Sequence, residues 1–242
     1  MTPIFRVWDT ETTGIDPVVD QIVEIGWTDI EGGKVSNPGS LLVNPGRTIP
    51  SEASSVHHII DSDVATSPML PQAIAWAMES LPDDGSNVVY AAHVAKFDRS
   101  FLPTSMVGDN PWICTHKCAL RLWPAVANHK NQTLRYALNP EGLSRELAEP
   151  SHRAGPDAYV TAHILREMLK LASVEQLIQW SNEPALLVTC YFKAHKGKPW
   201  RDVPADYLKW ILRQRDMDED VRFTAQHHIN QGRKHVIEAM GL

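Results

Sequence analysis

The order in which apolar runs follow one another constrains this chain more than any other feature. Runs at residues 4–8, 22–27 and 41–43 are separated by turn signals, with Glu31-Gly32-Gly33 between the second and third and Asn44-Pro45-Gly46 closing the third. Short apolar runs bounded by Gly, Pro and Asn read as strands in a meander. From residue 51 the periodicity changes to helical. Residues 71–81 put Ile74, Ala75 and Met78 on one helix face, 87–92 form a buried strand, 97–102 a short helix, and 112–115 a further strand. Helices follow over 117–123 and 132–138. After Gly155-Pro156 a long helix carries Val160, Ile164, Leu165, Met168 and Leu169 at spacings of three and four, with Pro in its first turn. Three antiparallel strands followed by alternating helix and strand imply an α/β fold: a mixed five-stranded sheet flanked by helices. The 242 residues suit one such domain, assigned to residues 1–172, and a small C-terminal helical module over 173–242.

Composition narrows the class without choosing a function. With 43% hydrophobic and 21% charged residues the chain resembles an ordinary globular protein. The N-terminus lacks a signal-peptide pattern, and no stretch has the length of a transmembrane helix, so a cytoplasmic protein with no membrane partner is expected. Three cysteines, Cys114, Cys118 and Cys190, do not make a disulfide framework. Cys114-x-His116-x-Cys118 lacks the fourth ligand that structural zinc needs. The net charge of −6 is uneven: residues 1–172 hold 13 basic against 20 acidic side chains, and residues 173–242 hold 10 against 9. An acidic first part is compatible with phosphate chemistry if some of its carboxylates hold cations, because bound metal reverses the local sign.

Three separated segments carry candidate chemistry. Asp9 and Glu11 lie two apart in a strand and project from one sheet face. Asp98 follows the buried strand at 88–92, where strand ends commonly present functional groups. His152 stands in the loop before the long helix, and Asp157 falls in its first turn. Each carboxylate alone has a bland reading as a solvated strand end or a helix-start acid. Together, as Asp9-Thr10-Glu11-Thr12-Thr13-Gly14, His93-Val94-Ala95-Lys96-Phe97-Asp98 and His152-x-Ala154-x-x-Asp157, the segments resemble the three motifs of the DnaQ-like, DEDDh-type 3′→5′ exonucleases, whose architecture is ribonuclease H-like. The resemblance extends through residues 56–59, 112–115, 120–124, 191–198 and 207–210, and this wider match favours DNA over RNA. In two places the chain departs from the pattern: Val94 stands where the family usually has Asn, and Phe192-Lys193-Ala194 replaces an expected Phe-Gly-Lys.

The resemblance implies two divalent cations, Mg²⁺ with Mn²⁺ as substitute, held by Asp9, Glu11, Asp98 and Asp157, with Asp98 acting chiefly through water. His152 would serve as general base in its neutral form. Thr12, Thr13 and Ile15 are placed to contact the terminal nucleotide, and His93 joins them as a substrate-side candidate. His57 admits two readings, a residue beside the substrate and a hydrogen-bonded loop histidine. Lys193, Lys196, Lys198 and Arg201, interleaved with Tyr191, Phe192 and Trp200, suit either nucleic acid or a solvated face. The expected partner is DNA at 3′ ends, single- or double-stranded, with RNA the rival substrate. A catalytically silent binder would gain nothing from concentrated negative charge facing phosphate. A phosphatase acting on small substrates remains the third reading.

Overall fold

The computed structural model describes residues 3–82 and 87–239. β1 (Ile4–Thr12) runs antiparallel to β2 (Ile22–Glu31), in a register from Phe5 opposite Ile30 to Glu11 opposite Glu24, with an irregularity between Glu11 and Thr12. On its other edge β1 pairs in parallel with β5 (Val88–Ala92), which pairs in parallel with β6 (Trp112–Cys114). The outer edge of β2 takes β3 (Lys34–Val35) opposite Ile30 and Glu31, and β4 (Gly39–Leu42) opposite Glu24 to Trp27. These two short strands share one position, so six strands build the five-position mixed sheet that the element order implies.

Helices cover both faces: α1 (Ser51–His57), α2 (Asp61–Val64), α3 (Leu70–Met78), α4 (Lys96–Phe101), α5 (Thr104–Val107), α6 (Thr115–Leu122), α7 (Asn131–Leu138) and α8 (Ala154–Leu169). Alternation along β1 sorts the core. Phe5 and Val7 pack with Val160, Ile164, Leu165 and Met168 of α8, whereas Trp8 packs with Ile74 and Ala77 of α3. Continued to the strand's C-terminal end, the α8-facing row of odd residues becomes Asp9 and Glu11. The expected strand stops at residue 8, but β1 persists to Thr12, because Asp9 and Glu11 keep their backbone pairing with β2 opposite Gly26 and Glu24. Cross-strand pairing outweighs the low strand propensity of acidic residues. The same even-numbered face buries Arg6, which donates to Asp29 at 2.8 Å, to the Ala77 carbonyl and to Ser80, and lies against the Trp8 and Trp27 rings.

Beyond the sheet, α9 (Val174–Asn182) sets Leu177 into the α8 core. A separate cluster gathers Cys190, Trp200, Val203, Leu208 and Ile211 with Val221 and Ala225, contributed in part by α10 (Ala205–Arg213) and α11 (Glu219–Ala239).

The close crossing of α8 over β2 depends on Gly26. A Cβ there would meet the Ala154 carbonyl carbon at 2.1 Å and the Gly155 nitrogen at 2.4 Å, both backbone atoms that cannot swing aside. Gly26→Ala is therefore expected to force α8 off the sheet and to lower stability by about 1–3 kcal/mol or more. Urea denaturation of the variant beside the wild type measures this; an unchanged midpoint would show that α8 tolerates the displacement.

Candidate active site

The site forms where β1 ends beneath the first turn of α8. Asp9 and Glu11 reach it from the strand and Asp157 from the helix, and one carboxylate oxygen of each lies within 4.8 Å of the other two. Asp157 is held on both oxygens: the His152 amide donates to Oδ2 at 2.7 Å, and Gln132 Nε2 of α7 donates to Oδ1 at 2.9 Å. Asp98, only 3% exposed, stands outside this three-residue set and accepts a hydrogen bond from Thr10 Oγ1 at 2.9 Å. Three of the four expected carboxylates thus converge directly, and the fourth backs the strand that carries two of them.

So many acids in one place resist ionisation. Burial pushes the Asp9 carboxyl well above the ordinary carboxylate range, reinforced by Asp98, Asp157, Glu11 and Glu24. Burial, then Asp157 and Glu24, push Glu11 up to about 8, and burial lifts Asp98 to about 7. Asp157 is also raised by burial, against the opposing pull of its His152 and Gln132 donors. A set of buried oxygens that repel one another, with ligand atoms at mutual coordination distance, fits a hard divalent cation.

Glu24 escapes sequence reading because its role depends on pairing across strands. Opposite Glu11 and 1% exposed, it accepts from Arg153 Nε and Nη2 at 2.9 Å each, from the Ala154 amide at 3.0 Å and from Ser40 Oγ at 2.6 Å. This bidentate pair anchors the residue next to His152. His152 itself is exposed, with φ of 60°, a backbone turn that leaves its amide on Asp157. Gln132 and Thr10 were likewise visible only once their helix and strand were placed.

The remaining candidates separate. Ile15 is 86% exposed, free of the core. Thr12 donates to the Gly14 carbonyl at 2.5 Å, and buried Thr13 donates to Asp20 and accepts from the Gln21 amide, so both hydroxyls shape the loop that presents Ile15. His57 is buried, its Nδ1 accepting from the Ile59 amide at 3.0 Å, and burial lowers its pKa. His93 spends both ring nitrogens inside the protein, Nδ1 on Thr115 Oγ1 at 2.9 Å and Nε2 on the His129 carbonyl at 2.8 Å, with burial holding it down to about 4. Its ring ties β5 to α6 and to the loop before α7; contact with a nucleotide through either nitrogen would cost one of those bonds. Val94, next to it, sits at φ of 65° and is 47% exposed. A β-branched side chain is strained there, where Asn is tolerated.

The sequence pattern of the RNase_T family, described as "Exonuclease", matches residues 7–165. The chain is 35% identical to exodeoxyribonuclease 10 of Escherichia coli K12 over 237 residues, 93% of this chain and 99% of that one. It is 30% identical over 186 residues to the PolC-type DNA polymerase III of Bacillus subtilis, covering 74% of this chain and 12% of the polymerase. Among solved structures, exonuclease X in complex with 5′-overhanging duplex DNA superposes with a TM-score of 0.59 at 34% identity, covering 74% of this chain and 99% of that one. Escherichia coli exonuclease I bound to single-stranded DNA shares the fold at 16% identity, with a TM-score of 0.54 over 74% of this chain and 42% of that one.

Two outcomes follow from this geometry. Glu11 binds its proton more tightly when folded than when unfolded, so in chelator the stability it contributes is present below about pH 4.5 and is lost as pH rises toward about 8. Thermal melts in EDTA should fall across that window, and Mn²⁺ should offset the fall; a melting temperature that stays flat in EDTA would contradict the repulsion. Val94→Asn relieves the left-handed strain and should raise the urea midpoint, by about 1 kcal/mol in stability.

Proposed function

This chain belongs to the DnaQ-like exonuclease family and is a 3′→5′ exonuclease; on that premise we propose that it removes 5′-mononucleotides from the 3′ ends of DNA by two-metal phosphodiester hydrolysis with His152 as general base. The observation that carries the reading is the convergence of Asp9 and Glu11 from β1 with Asp157 from α8 into one set of ligand oxygens. The preference for DNA rests on the 35% identity with exodeoxyribonuclease 10 across nearly the whole of both chains.

Asp9, Glu11 and Asp157 would hold the cations, and Asp98, hydrogen-bonded to Thr10, would act chiefly through water. Divalent cations held there would supply charge neutralisation at the phosphate and activation of a water. The protein's own part is positional. Gln132 and the His152 amide fix Asp157 so that its oxygens do not rotate out of the set. The Glu24–Arg153 pair and the Ala154 amide hold the loop from which the exposed His152 imidazole reaches the water and takes its proton. Ile15 packs against the terminal base from the loop that Thr12 and Thr13 shape. His57, buried next to the end of β1, supports that loop, and His93 acts by holding the second motif in place.

A 5′-labelled oligonucleotide with Mg²⁺ should yield a ladder spaced by one nucleotide. EDTA and Asp157→Ala should abolish it, and His152→Ala should cut kcat by about 10²–10⁴-fold. An RNA oligonucleotide run in parallel ranks the two substrates through the terminal 2′-hydroxyl. Intact DNA after incubation with either Mg²⁺ or Mn²⁺ would leave a silent binding module as the better reading.

A further inference from the structure

The helix whose Gln132 holds Asp157 also carries an exposed aromatic residue that the three motifs do not include. Between α7 and residues 146–151 lies a cleft of about 730 Å³, lined by Gln132, Arg135 and Tyr136 of the helix and by Glu149, Pro150 and Ser151 of the facing segment. It adjoins the site through both walls. Gln132 donates to the Asp157 carboxylate at 2.9 Å, and Ser151 immediately precedes His152.

Tyr136 is 69% exposed, and its amphipathic ring is of the kind used at recognition surfaces. It lies one helical turn beyond Gln132, about 6 Å along the axis. The Arg135 guanidinium lies 5.0 Å from the Tyr136 ring centroid. That guanidinium is immobilised: it donates to Gln132 Oε1 at 3.1 Å, to the Ala148 carbonyl at 3.2 Å and to Glu149 at 3.5 Å. The ring is therefore backed by a fixed cation, which costs little further ordering when a flat ligand is laid on it.

The charge of the cleft says what kind of group it takes. The lining holds one basic side chain, Arg135, against two acidic ones, Glu146 and Glu149, and Glu149 is paired with Arg135 and, from outside the cleft, with Arg145. No excess positive charge is present to draw a phosphate; an exposed aromatic face in such a cleft suits an uncharged π system. The cleft meets Asp157 and the His152 loop rather than the Thr12–Ile15 loop assigned to the terminal nucleotide. We propose that Tyr136, backed by Arg135, is a stacking platform for a nucleobase of the substrate strand on the 5′ side of the scissile phosphate. The assignment rests on the exonuclease reading and extends its substrate site by one subsite.

The test combines Tyr136→Ala and Tyr136→Phe with oligonucleotides carrying one abasic residue stepped along from the 3′ end, in Mg²⁺. Stacking predicts that Tyr136→Ala raises KM roughly 5- to 100-fold, that Tyr136→Phe retains most of the affinity, and that one abasic position weakens wild-type binding by a similar factor. That penalty should vanish in Tyr136→Ala, as it must if ring and base contact each other. An unchanged KM in Tyr136→Ala, an abasic penalty that persists in it, or equal losses in the Ala and Phe variants would each overturn the platform. Digestion of the intact oligonucleotide by the wild type tests the nuclease reading separately: its absence ends both proposals, and its presence with an unchanged KM ends only this one.

Discussion

The bond between Glu24 and the start of α8 is the constraint on which the site depends. A carboxylate buried in the middle of a sheet is tolerable only if its oxygens are satisfied, and Glu24 satisfies them with the Arg153 fork, the Ala154 amide and the Ser40 hydroxyl. Because Arg153 joins His152 to the helix and Ala154 is the helix's first residue, this one side chain sets where the helix begins relative to β1. The missing side chain at Gly26 lets the same turn come close enough for the bond to form. Asp157 then falls above Asp9 and Glu11, and the His152 backbone is turned so that its amide reaches Asp157.

The result is a site whose folding and function pull in opposite directions. Burial raises the pKa of four acids above their ordinary values, repulsion adds to it at Asp9 and Glu11, and Arg153 is committed to Glu24. The fold carries that unfavourable charge on two well-packed cores, one under α8 and one under α3, which flank the strand on which the charges sit. Val94 adds backbone strain at the second motif. Unfavourable charge and backbone strain are thus gathered at the motif segments.

Much of this was legible in the linear chain. Strand order, helix order and the three acidic motifs are local patterns, and they lie where the spacing puts them. Shifts at element ends, such as the extension of β1 through Asp9 and Glu11, come from cross-strand pairing that a local pattern does not contain. His93 illustrates the other limit: its position beside a motif suggested contact with substrate, whereas two partners far along the chain, Thr115 and His129, take its nitrogens.

By itself, the sequence determined the α/β class, the family and the identity of the metal-ligand candidates, because side-chain periodicity and motif spacing are properties of short segments. Tertiary structure alone decided that Asp9, Glu11 and Asp157 share one small volume while Asp98 stands behind Thr10, that Glu24 and Arg153 lock the helix above them, and that Tyr136 is left bare on the helix whose Gln132 holds Asp157. Those facts turn on groups more than 20 residues apart meeting at a few ångströms, and such distances are set by how helices seat on the sheet.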